Sequence, residues 1–200
     1  MMYRVLTLLC FLGILSSCRP TTYTPKPRGY GRVEFPEHKY QPFNDNTFPY
    51  SFEYPVYSRI VRDTLFFGQK PENPYWINID FPTIGGTIYL SYKPVTKDQP
   101  LSKLIEDAHE MSFTAHSKRA DYIDDNTRLV NREKNVYGIF YKVGGDAASA
   151  YQFIATDSVN HFIRGALYFN VSPNADSLRP ANEFLRVDMV HLLETLKWNE

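Results

Sequence analysis

The spacing of apolar residues alternates between two periods along this chain, and that pattern restricts the fold more than any other feature. In Tyr75-Trp76-Ile77-Asn78-Ile79-Asp80-Phe81, the apolar Ile77, Ile79 and Phe81 share one face while Asn78 and Asp80 share the other. That is a half-buried strand, and Pro82 ends it. Gly85-Gly86 then opens Thr87-Ile88-Tyr89-Leu90-Ser91-Tyr92, where Ile88, Leu90 and Tyr92 face one way. Two such runs with a short Pro/Gly connection predict a hairpin. A further strand is expected at 49–55, where aromatic and polar residues alternate up to Pro55. From Leu101 the period becomes helical, with Leu104, Ile105, Ala108, Met111, Ser112 and Ala115 on one side. Asp98 serves as a cap and Pro100 suits the first turn, so a helix of about 18 residues is expected. Alternation returns over 127–131, 135–143, 149–156 and 161–170, with turn residues at Gly144-Gly145-Asp146 and Thr156-Asp157-Ser158. A last helix is expected over 177–197, with Ala181, Phe184, Leu185, Met189, Leu192 and Leu196 as its apolar stripe and Pro180 in its first turns. Strands, helix, strands, helix is an α+β order: an antiparallel β-sheet meander packed with an internal helix and a C-terminal helix.

The N-terminal end reads differently. Arg4 precedes an apolar, uncharged run over 5–15, too short for the roughly 20 residues that cross a bilayer. Leu15-Ser16-Ser17-Cys18 follows it. An aliphatic residue, two small residues and a cysteine form the lipobox pattern of bacterial lipoproteins. Residues 1–17 are therefore expected to be a lipoprotein signal peptide. Cys18 is expected to carry the diacylglycerol. Each buried acyl CH2 adds about 0.8 kcal/mol, so several chains anchor stably. The other cysteine, Cys10, leaves with the signal, and the mature chain has no disulfide, thiolate metal site or redox pair available. Its core alone must hold it together. Residues 18–47 contain Pro20, Pro25, Pro27, Pro36 and Pro42 and are expected to form a Pro-rich tether, leaving 48–200 as a single α+β domain. Arg19, Lys26, Arg28 and Arg32 precede the first acid, Glu34, as a solvated linker or as an attraction for anionic lipid headgroups or cell-wall polymers, and the rings of Tyr30, Phe35, Tyr40 and Phe43 are expected either to pin this segment onto the domain or to dock a partner.

Composition narrows the partners. Lysine and arginine (22) balance aspartate and glutamate (22), which argues against nucleic acid. The chain carries 15 Tyr, 14 Phe and 2 Trp, and rings bury much area each, which suits a core without disulfides. No GxSxG, HExxH or phosphate-binding glycine loop is present. The expectation is no catalytic residue, no cofactor and no metal. Glu106, His109 and His116 are the nearest approach to a metal cluster, but two ligands within one turn fall short of a convergent set. Asp124-Asp125-Asn126 reads as a turn and lacks the spaced acids of a calcium loop.

One segment, Val143-Gly144-Gly145-Asp146-Ala147-Ala148-Ser149-Ala150, has small residues that let another backbone approach. Gly144, Gly145, Asp146 and Ser149 are candidate partner contacts. A plain hairpin turn explains the same residues equally well. Arg164 stands alone as a cation in its strand, and pairing with a carboxylate across the sheet is the expected use. Asp188 interrupts the stripe of the last helix and needs a partner if buried; by charge, Arg164 is one candidate.

The chain also resembles a known family, the gliding motility lipoprotein GldD family of the Bacteroidetes. The matching stretches are PKPRGYGRVEFPEHKY (25–40), FPYSFEYPVYSRI (48–60), WINIDFP (76–82), LSYKPV (90–95), LIEDAH (104–109), VYGIFYKVGGDAASAYQFIATDS (136–158), HFIRGALYFNVSPNADSL (161–178) and HLLETLKW (191–198). They run in order through nearly all of the mature chain. The resemblance implies an envelope lipoprotein needed for the gliding and type IX secretion machinery, with no family catalytic residue to carry over. At the level of architecture, a Mog1/PsbP-like arrangement suits the element order.

The expectation is a non-enzymatic envelope protein that contacts other gliding or type IX secretion components. It is lipid-anchored, by analogy in the outer membrane and facing the periplasm, since Arg19 and not aspartate follows Cys18. The alternative is a periplasmic ligand-binding module for a glycan or lipid, its rings lining a pocket.

Overall fold

The computed structural model describes residues 33–62, 70–114 and 119–199. The expected signal peptide, Cys18 and the basic stretch up to Arg32 lie outside the described residues, as does the expected end of the first helix over 115–118. In chain order the elements are β1 (Tyr40–Phe43), β2 (Tyr50–Pro55), β3 (Arg59–Arg62), β4 (Ile77–Phe81), β5 (Gly86–Pro94), α1 (Leu101–Thr114), β6 (Ala120–Asn131), β7 (Val136–Gly145), β8 (Tyr151–Thr156), β9 (His161–Phe169), α2 (Ala175–Thr195) and β10 (Lys197–Trp198). The protein is α+β, as its apolar periods predict.

The large sheet has seven strands in the order β3-β4-β5-β9-β8-β7-β6, every neighbour antiparallel. It consists of two meanders, β3-β4-β5 and β6-β7-β8-β9, joined where β5 pairs with β9. Helix α1 lies between the meanders in sequence. The hairpin expected around Gly85 is β4–β5; Gly85 takes φ +77 and its N–H donates to the Phe81 carbonyl at 2.8 Å.

Each helix takes one face of this sheet. Phe162 packs with Leu104 and Ala108 of α1, together with Tyr141 and Ile154. Its neighbour Ile163 packs with Leu185, Met189, Leu192 and Leu193 of α2, together with Ile77, Ile79, Phe81, Leu90, Phe153 and Leu167. Successive residues of a strand point to opposite faces, so α1 and α2 sandwich the sheet. The α2 side carries the larger core, which explains why the alternation in β4 and β5 is so clean.

Three strands, β1, β3 and β10, were not expected, and β6 is longer than expected. β6 begins at Ala120, earlier than the alternation at 127–131 suggests. Its register shifts between Ala120 and Tyr122 and again between Asp124 and Thr127, so periodicity is lost there. It is an edge strand, and bulges and charges are how edges avoid pairing with other chains. β10 is two residues long and has no period to read. β1 contains Pro42, which an edge strand tolerates.

β1 also moves the start of the domain. The folded unit runs Val33–Glu200, so residues 33–47, assigned from composition to the tether, belong to the fold. β1 pairs with β2, and β10 pairs with the other side of β2, in a separate three-stranded sheet. Asn199 ties this end down, its N–H donating to the Pro49 carbonyl and its Nδ2 to the Phe48 carbonyl, each at 3.0 Å.

Candidate functional site

Helix α2 presents Phe184, Asp188 and His191 at i, i+4 and i+7, on one face. Residues 33–43 lie along that face as a strap. Phe35 and His38 stack on the Phe184 ring, with centroids 4.4 and 4.3 Å away. Tyr40 stacks on His191 at 3.5 Å. Between these two stacks sits Asp188, 1% exposed. Its Oδ1 accepts from His38 Nδ1 at 2.8 Å and from the Tyr40 hydroxyl at 3.0 Å, and its Oδ2 accepts from the Tyr57 hydroxyl at 2.6 Å. His38 Nδ1 also lies 3.1 Å from the Tyr57 hydroxyl, so two of the three partners of Asp188 are in contact with each other as well. Burial, and then Asp188, pushes the hydroxyls of Tyr40 and Tyr57 well above the ordinary tyrosine range, so both remain donors. The network continues through His191, whose Nε2 lies 2.7 Å from Glu53 Oε2, and through Thr195 Oγ1, which accepts from the Glu53 N–H.

Asp188 is therefore partnered from the N-terminal strap and from Tyr57. Arg164, the partner suggested by charge, lies on the opposite face of the sheet. Nor does Arg164 meet a carboxylate across the sheet among the described residues. Its Nη2 donates to the Gln152 side-chain carbonyl, and Tyr168 approaches it.

The small-residue segment forms the rim of a cleft of about 200 Å3, between the β6–β7 end of the sheet and the start of α2. Gly144 is pressed against the Tyr122 ring; a Cβ there would come within 2.2 Å of it. Gly145 takes φ +87, a backbone that favours glycine. Asp146 Oδ1 accepts the Ala175 N–H at 2.7 Å, and Asn174 caps the same helix by accepting from the Ser177 N–H. Ser149 is wholly buried and donates to the Tyr151 carbonyl. Of the four candidate contacts, Gly144, Gly145 and Asp146 reach the surface, whereas Ser149 braces the turn from inside. Lys142 and Glu183 complete the cleft wall, and Glu183 accepts from the Tyr151 hydroxyl. Two further clefts, of about 580 and 460 Å3, lie beside Val130 and Val190 and beside Trp198 and His161.

His109 stacks on Phe113 within α1, at 3.9 Å. His116, which the metal reading required, lies outside the described residues. Among the described residues, no three metal-ligating side chains gather, and no helix is long and apolar enough to cross a membrane. Composition, with its proline and mixed charge, puts a linker here, but the rings expected to pin it onto the domain do so: Phe35 on Phe184, Tyr40 on His191 and Phe43 on Phe52, while Tyr30 lies outside the described residues. The usable clue was the pairing of Phe35, His38 and Tyr40 with a helix face broken by one acid.

A family model described as gliding motility lipoprotein GldD matches residues 20–198. Among solved structures, the solution structure of cyanobacterial PsbP (CyanoP) from Synechocystis sp. PCC 6803 is similar, with a TM-score of 0.50 and 12% identity over 86% of this chain and 98% of that one. At that identity the likeness concerns the fold alone. No curated protein matches the chain.

Proposed function

The chain belongs to the gliding motility lipoprotein GldD family, lipid-anchored proteins of the cell envelope, and from that premise we propose that it acts without catalysis, as an anchored docking domain for other gliding or type IX secretion envelope proteins. Lipidation at Cys18 and a position in the outer membrane, facing the periplasm, belong to the same proposal.

The strap carries the reading. A lipoprotein domain on a long free tether samples a wide shell above its membrane. Here the chain is clamped to α2 from Phe35 onward, so the link between Cys18 and the domain is at most residues 18–33. Fully extended, that link spans roughly 50 Å, about half of what residues 18–47 would allow. A short link confines the domain and raises its effective concentration for partners held in the same membrane. The surface rim at Gly144, Gly145 and Asp146 is the proposed contact on the domain.

The test is crosslinking and co-purification of the lipidated protein from its own envelope, with Cys18→Ala as control. Recovery of gliding or type IX secretion components, weakened in the control, is expected. Normal assembly and localisation of those components in cells lacking the protein would refute the reading. The alternative, a binding module for a glycan or lipid, has one observation in its favour: a group of buried donors around Arg164.

A further inference from the structure

Three donors on the α1 side of the sheet have no acceptor: the Tyr141 hydroxyl, Gln152 Nε2 and Arg164 Nε. Gln152 is 0% exposed and Tyr141 1%. The three are neighbours. Tyr141 and Gln152 stand opposite each other across β7 and β8. Gln152 Oε1 accepts both from Arg164 Nη2 and from the Ser112 hydroxyl of α1, the latter at 3.0 Å. The local carbonyl is thus used twice, and Tyr168 also hydrogen-bonds the Arg164 side chain, yet Arg164 Nε and the two other donors remain unmet.

Buried polar groups are nearly always paired, so three unmet donors in one cluster call for an explanation. All three suit the same complement. Arg164 Nε and Gln152 Nε2 can only donate. Burial pushes the Tyr141 hydroxyl above its ordinary range, and Asp125 adds to this, against Arg128 and Arg164. That hydroxyl therefore stays protonated. Arg164 is the cation within the cluster, and Asp125 and Arg128 lie near enough to act on Tyr141 as well. The only buried carboxylate among the described residues, Asp188, is engaged on the other face of the sheet. Beyond α1, the neighbours of Arg164 on this face (Ser91, Tyr89 and Tyr168) are only half-buried. Tyr89 and Tyr168 meet edge to face at 5.7 Å. Ring surface therefore lies beside the donors.

We propose that Arg164, Gln152 and Tyr141 form a binding site for an oxyanion, the carboxylate or phosphate group of an acidic ligand whose body rests against Tyr89 and Tyr168. The site lies apart from the Gly144–Asp146 rim and does not depend on the docking role.

The experiment is NMR of the detergent-solubilised, lipidated chain, following the Arg164 Nε–H signal while acetate, inorganic phosphate or glucuronate is added. A saturable shift is expected. Stronger binding of phosphate points to a phosphate source, and stronger binding of glucuronate than acetate points to a sugar acid. Arg164→Gln should weaken binding by about tenfold or more. Tyr141→Phe keeps the ring and removes only the donor; it should fold and bind about threefold more weakly. The proposal is overturned if none of the three anions gives a saturable shift, or if Tyr141→Phe binds as tightly as the parent.

Discussion

Replacing Tyr57 with Phe removes one hydroxyl and leaves its ring in place against Phe81 and Phe184, at 6.1 and 5.7 Å. What is lost is the 2.6 Å bond to Asp188 Oδ2, together with the longer contact of the hydroxyl with His38 Nδ1 at 3.1 Å. A hydrogen bond to a charged group contributes about 1.5–3 kcal/mol, and here the acceptor is buried and cannot turn to water instead. Asp188 retains His38 and Tyr40 on its other oxygen. The expected cost is therefore about 2 kcal/mol, in the middle of that range. For a domain of this size that corresponds to a Tm fall of roughly 4–8 °C. Urea unfolding would measure the global loss. Hydrogen exchange at the Val56 N–H, which donates to the Lys39 carbonyl, would report whether the strap opens locally first. A double-mutant cycle with Asp188→Asn should show coupling of about 1 kcal/mol or more, since the two residues touch. A loss below about 0.5 kcal/mol, with no coupling, would mean that the network does not hold the strap.

Gly165→Ala should destabilise by about 1–3 kcal/mol or prevent folding, because its Cβ would sit 2.2 Å from the buried Phe153 ring. Gly144→Ala should fold, since the Tyr122 ring it meets is half exposed and can swing aside; co-purification then tests whether the rim is a contact. Asp146→Ala removes an acceptor at the start of α2 and should cost about 1 kcal/mol in thermal unfolding. Acid should weaken the fold in two steps. Burial holds His161 below its ordinary 6.5 despite the pull of Asp157, so the unfolded chain takes up that proton first and stability falls as pH drops below about 6.5. His161→Gln should abolish this step in urea midpoints measured across pH. The second step comes from carboxylates held low in the fold, Asp45 and Asp157 among them, and includes Glu183, which the Tyr151 hydroxyl and then Arg186 hold below its ordinary 4.5. Its contribution is present above 4.5 and disappears as pH falls through the lower folded value, and Tyr151→Phe should shrink that step.

The period of the apolar residues determined the parts whose burial is decided locally. β4, β5, α1 and α2 each turn a repeating face to one core, while β7, β8 and β9 send successive residues into the cores on the two sides of the sheet, so these elements show in the residues themselves. Gly85 was readable for the same kind of reason, since a tight hairpin needs a residue that tolerates its φ. Tertiary structure decided the rest. β10 is a strand only because β2 lies beside it, and two residues carry no period of their own. The strap looked like a linker because proline and mixed charge are compatible with both. Its fate depends on a helix face far along the chain: Asp188 meets Tyr57 across 131 positions and His38 across 150. Arg164 and Asp188 looked like a pair on charge, yet the sheet stands between them. A buried charge takes the partner that the topology brings within hydrogen-bond reach, and an attraction through charge alone does not select it.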